Sequence, residues 1–261
     1  MQGLKQIIII VSVICLGCVP CQVLAGKLRI TMATLDWEPY VGRHMKNQGS
    51  IAVIVKEAFK RSGIDLQIQF HQWSRVVGLA KKGLVDGYFP EYYADSITSY
   101  ARFSDPIPAG PLGFFKLKDA KIEFSTLKSL TGYRIGIVKG YINSKEFDMA
   151  DYLEKHPVKD DLTNLKLLLA HRVDLVVADK FVGFYLANRH LPDQVADIEF
   201  MPRILENKDV YVCVCNTLKS QAYLLNAFNR GLASMRVDGT LDLFLSNLLS
   251  NIPDHVSEPT P

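Results

Sequence analysis

The chain has 261 residues, enough for one large domain or two small lobes. Its formal net charge of +3 comes from 30 basic and 27 acidic residues that are interspersed, which argues against a nucleic-acid partner or a basic membrane-binding surface. Three of its five cysteines fall in the first 21 residues; Cys213 and Cys215, in "YVCVC", point the same way on a strand about 6–7 Å apart, a poor disulfide pair, so no cystine framework is expected.

The N-terminus reads "MQGLK", then the apolar run "QIIIIVSVICLG", then "VLA" ending at Ala25. This is the pattern of a cleaved secretory signal peptide over 1–25, shorter than the roughly 20 apolar residues of an anchor. Lipidation of Cys18 in "CLGC" is the alternative. No later segment is apolar enough to span a bilayer, so an exported protein in the periplasm is expected.

From there, strand-like and helix-like pieces alternate. "LRITMA" (28–33) is a strand. "SIAVIVKEAFKRSG" (50–63) carries Ile51, Ile54, Val55, Ala58 and Phe59 at helical spacing and ends at Gly63. "DLQIQFHQ" alternates as a strand. "SRVVGLAKKG" is a helix with Ser74 as its cap and Gly83 as its stop. "LVDGYF" is a further strand. After "FSDPIPAGPLGFFKLKD" the pattern restarts. "YRIGIV" is a strand and "SKEFDMADYLEKH" (144–156) a helix. "LTNLKLLLAHR" is a helix, "VDLVVA" a strand, "DKFVGFYLANRH" a helix and "VADIEFMP" a short strand. "KDVYVCVCN" is a strand and 220–249 a helix pair broken near Gly239. The proline-rich end, 251–261, reads as a tail.

Such alternation predicts an α/β fold with a largely parallel sheet. Two units are visible, with a strand and helices left over to return to the first. The expected division is lobe 1 over 26–112, lobe 2 over 113–208, a return to lobe 1 over 209–255, and a flexible tail over 256–261. Two chain crossings would then join the lobes.

The motifs, in order, are "DWEPY", "IVKEAFKRSG", "W-S-R…GLAKKGLVDG", "FSDPI", "LKSLTGYRIGIVKG", "HRVDLVVAD" and "AFNRGLASMRVDGTL". Together they resemble the extracellular solute-binding proteins of family 3, the polar amino-acid-binding type of ABC importers, over nearly the whole chain after residue 25. The resemblance implies a type II two-lobe periplasmic-binding-protein fold. It also implies a small polar solute held in the interlobe cleft, at the carboxyl ends of the strands. Its implied partner is an ABC permease. A membrane receptor, with the protein as a sensory input, is the second reading. A monomer without cofactor is implied.

Site residues carry over position by position, each beside a plainer reading. Trp37 falls where the family sets an aromatic ring against the ligand, with Tyr40 nearby to offer a hydroxyl; the alternative is a turn folded onto the sheet. Trp73 is an opposing platform or a core residue. In "YFPEYYADS", Glu91 and Tyr92 sit in a contact segment, Glu91 facing a positive group or simply solvent. Gly140 and Tyr141, with Ile142, match a lobe 2 turn whose backbone amides and helix start suit an anion. Asp179 matches the acid that takes a ligand amino group, and it also reads as a helix N-cap. One departure is plain: the arginine that grips an α-carboxylate in amino-acid binders is replaced by Ile97. Arg102 does not take its place, and Arg75 is a surface helix charge or a substitute.

No "HExxH", "GxSxG" or glycine-rich phosphate loop occurs. The six histidines, His44, His71, His156, His171, His190 and His255, are scattered without metal-ligand spacing. No catalytic residue, metal or cofactor is expected. A dehydratase-like lyase on the same scaffold, using Glu91 and Asp179, is the remaining enzyme reading.

Overall fold

A computed structural model describes residues 28–249. The expected signal peptide, Cys18 and the tail lie outside the described residues. The strands are β1 (Leu28–Thr34), β2 (Ile64–Phe70), β3 (Gly87–Glu91), β4 (Ala101–Phe103), β5 (Ile107–Leu117), β6 (Arg134–Val138), β7 (Glu154–Val158), β8 (Leu175–Asp179), β9 (Ile198–Phe200) and β10 (Glu206–Cys215). The helices are α1 (Ser50–Arg61), α2 (Trp73–Lys81), α3 (Lys145–Asp148), α4 (Asp161–Leu169), α5 (Lys180–His190), α6 (Gln221–Val237) and α7 (Thr240–Leu249). None of these helices is long and apolar enough to cross a membrane.

The strands run in the order β2-β1-β3-β10-β5-β8-β6-β7, with β4 on β10 and β9 on β5. Parallel pairing joins β2, β1 and β3 in one lobe, and β8, β6 and β7 in the other. The two long strands β5 and β10 link the lobes. They pair antiparallel, from Val210 opposite Ile107 to Glu206 opposite Leu112, with an irregularity between Asn207 and Asp209. The sheet is therefore mixed, not largely parallel, because both linking strands run against their neighbours.

One apolar cluster runs through both lobes, from Ile30 and Phe59 to Ile135 and Val177. The α1 face of Ile51, Ile54, Val55, Ala58 and Phe59 is buried, as its spacing predicts. Phe59 meets Phe228 of α6 with centroids 5.2 Å apart, so the C-terminal helices do return to the first lobe. In the second lobe, Phe115, Leu165, Leu168, Val176 and Ala187 form a separate cluster. Cys213 and Cys215 are free and buried as small apolar groups.

Three readings need correction. Residues 144–156 are not one helix: α3 spans four residues, and Glu154–Val158 is the edge strand β7. Pro157 and polar neighbours hide that strand, since an edge position needs neither alternation nor every N–H. The segment 107–117 is a strand that the expected alternation of elements does not include. Ser74 does not cap α2; the N-cap is Gln72, without a side-chain bond.

Candidate functional site

The parallel strands of both lobes bring their carboxyl ends to one cleft, where open α/β sheets bind ligands. Trp37 follows β1, Trp73 follows β2, Glu91 ends β3, Tyr141 follows β6, Asp161 follows β7 and Asp179 ends β8.

The "DWEPY" turn is a closed loop. Trp37 N donates to Val41 O at 2.7 Å, and Asp36 holds both the backbone and the guanidinium of Arg43. This fixes Trp37 and Tyr40 in a stack, with centroids 4.6 Å apart and planes at 21°. Tyr92 stands edge-on to Trp37 at 5.8 Å. Trp37 and Tyr92 are buried and line the inner space, whereas Tyr40 is wholly buried behind Trp37 and does not line it.

Side-chain contacts join the lobes at the cleft. Tyr40 OH donates to Asp179 Oδ2 at 2.9 Å. Trp73 Nε1 donates to Gly140 O at 3.0 Å, and its ring meets Tyr141 edge-on. Arg189 approaches Glu38 to 4.0 Å. Asp179 also caps α5, its Oδ1 accepting from Phe181 N and Val182 N. One carboxylate thus holds a helix start and the opposite lobe.

At the expected anion seat, Gly140–Tyr141, the amides of Lys139, Tyr141, Asn143 and Phe147 have partners and Gly140 presents its carbonyl to Trp73, and these bonds leave the amides of Gly140 and Ile142 untouched. The helix that follows has only four residues. Arg75 and Arg102 are exposed, and Ile97 is buried in the core.

Three buried acids gather here. Glu91, Asp161 and Asp179 are 5%, 5% and 3% exposed. Glu91 accepts from Tyr92 N at 2.9 Å and Tyr88 OH at 3.2 Å, yet burial pushes its pKa up to about 8. Burial raises Asp161 to about 7 and Asp179 to about 6. Among the described residues, no ion pair involves any of the three. The Tyr92 hydroxyl is buried beside Asp179 and makes no well-formed hydrogen bond.

Asp161 was not singled out from sequence. The misread of β7 hid the strand end that places it, and its signal was only the doublet in "VKDDLTNL", of which Asp160 is the helix cap.

The cleft has two compartments. The inner one, of about 30 Å³, lies between Trp37, Trp73, Glu91, Tyr92 and Tyr141 and has room for about one water. The outer one, of about 380 Å³, opens at the mouth and shares Leu35, Trp37, Trp73 and Tyr141 with it.

No protein-family model matches the chain, and no characterised protein matches it by sequence. Solved structures do match. A histidine kinase sensor domain with similarity to periplasmic binding proteins aligns with a TM-score of 0.75 at 18% identity, covering 85% of this chain and 97% of that one. An ancestral arginine-binding protein bound to arginine aligns at 0.71 and 18%, covering 84% and 97%. The ligand-binding core of GluR0 from Nostoc punctiforme, in complex with L-glutamate, aligns at 0.70 and 16%, covering 84% and 98%. The chain has the two-lobe type II periplasmic-binding-protein fold, with a discontinuous first lobe and two crossings.

Proposed function

We propose that the protein is an exported solute-binding protein that captures a small polar, amine-bearing solute between its lobes and delivers it to an ABC permease. The observation that carries this reading is the cleft itself: aromatic rings from both lobes meet around an inner space whose one acid, Glu91, has no counter-charge. Trp37, Tyr40, Trp73, Glu91, Tyr92 and Tyr141 would contact the solute, with Asp161 added to them. Asp179 would do so on opening, when its bond to Tyr40 is released. Gly140 would act through its carbonyl, which Trp73 now occupies. The lobe limits remain those proposed from sequence, with crossings near 112 and 208.

Arginine-bound neighbours favour an amine or guanidine solute. The sensor-domain neighbour favours a second reading, in which the closed protein signals through a membrane receptor. Binding, not catalysis, is the proposed activity.

A thermal-shift screen of the purified protein against amines, amino acids and small carboxylates tests the reading. A ligand at a hundred times its Kd stabilises by about 2.7 kcal/mol. No shift with any nitrogen-bearing solute would count against it.

A further inference from the structure

Resting on that reading of the cleft, we infer that the solute is an organic cation with no carboxylate beside its amine. The inner compartment carries no Lys, Arg or His on its walls; its one acidic side chain is Glu91. The buried Lys208 lies over the Tyr92 ring at 5.1 Å, but Glu206 holds its Nζ at 2.6 Å and it does not line the space. A second observation is geometric. The Tyr92 side chain, 7% exposed, lines the same space, and its hydroxyl faces Asp179 without a well-formed hydrogen bond in the closed arrangement. An ammonium or guanidinium N–H would satisfy it.

The rings of Trp37, Trp73, Tyr92 and Tyr141 offer faces and edges around that point, as cation recognition requires. Among the described residues, no three His, Cys, Asp or Glu side chains converge as metal ligands would, so a charge spread over an organic group fits better than a metal ion. An α-carboxylate one carbon from the amine would instead be buried against Glu91 and the aromatic rings, with no Lys, Arg or His side chain to pair it. At the mouth Arg43 is paired with Asp36, Lys159 with Asp160 and Arg189 with Glu38, and His44, His71 and His190 line the outer space but not the inner one.

Matched probes isolate the carboxylate. Agmatine is arginine without it, and cadaverine is lysine without it. Calorimetric titration should give at least one of the two amines a Kd at least tenfold below that of its amino acid. Glu91→Gln, which keeps the side chain's size, should weaken that amine at least tenfold without lowering the melting temperature. Arginine or lysine binding as tightly as its amine, and losing affinity in Glu91→Gln, would overturn the inference while leaving the cleft reading intact. Binding of any probe that is unchanged in both Glu91→Gln and Trp37→Ala would overturn the cleft reading itself. Silence from all four probes would overturn the cation class.

Discussion

Tyr40 and Asp179 stand 139 residues apart in sequence, in different lobes, and meet in a buried 2.9 Å hydrogen bond. Asp179 simultaneously caps α5. The contact makes lobe closure and helix capping share one carboxylate, so opening the cleft frees one oxygen and leaves the other in place.

Tyr40→Phe removes the donor and nothing else of the ring. A hydrogen bond to a charged group contributes about 1.5–3 kcal/mol, and the loss here should fall in or below that range because the cleft can open to water. Chemical denaturation should show the drop, and small-angle scattering should show a larger radius of gyration. An unchanged radius and unchanged stability would remove the contact from the closure mechanism.

Gly110, on the linking strand β5, permits that contact. A Cβ there would lie 2.7 Å from Tyr40 OH and Phe181 Cδ2, and 2.8 Å from Asp179 Oδ2. Gly110→Ala should therefore destabilise by about 1–3 kcal/mol and favour an open form. Gly78 in α2 has nothing within 4 Å of its added Cβ. Gly78→Ala should stabilise by about 0.5–1 kcal/mol through helix propensity, and so serves as the control in the same denaturation series.

The raised carboxyl groups give stability a definite pH slope. Free Glu and Asp titrate near 4.3 and 3.9, whereas Glu91 is pushed up to about 8, Asp161 to about 7 and Asp179 to about 6. Between those limits the folded chain retains protons that the unfolded chain has released, so stability falls as pH rises from about 4 to about 8 and then levels. Urea titrations across that window check the sign. Glu91→Gln should flatten the part between pH 6 and 8. A cation bound beside Glu91 must displace its proton, so amine affinity should rise with pH up to about 8, by at most tenfold per unit for one proton.

Trp37 and Trp73 are the chain's two tryptophans, and both line the cleft. Ligand entry between them should change intrinsic emission saturably. Trp73→Phe should keep part of the signal, from Trp37, while losing the bond to Gly140 and weakening closure by about 0.5–1.5 kcal/mol. A fluorescence titration of both single-tryptophan variants checks this.

Much of the site could be read in the sequence because it sits at strand ends that have strong patterns. The apolar runs of β1 and β8 point to Trp37 and Asp179, and the N-cap reading of Asp179 coexists with its cleft position. Asp161 and the linking strand β5 could not be read. The first follows an edge strand whose Pro157 and charges mask its period, and the second is punctuated by Pro108, Gly110 and Pro111. The anion seat at Gly140 was plausible from the glycine and the short helix. Tertiary contact adds what the sequence could not show: Trp73 takes the Gly140 carbonyl, and the Tyr141 amide bonds Val138 O.

The most direct test is a tryptophan-emission titration of the purified protein with agmatine and cadaverine, run beside a variant carrying Glu91→Gln and Asp179→Asn together. The expected result is a saturable change in the native protein and at least a tenfold loss of affinity in the double variant. No saturable change with either amine, or a curve that the double variant reproduces, would contradict an amine-binding cleft between the lobes.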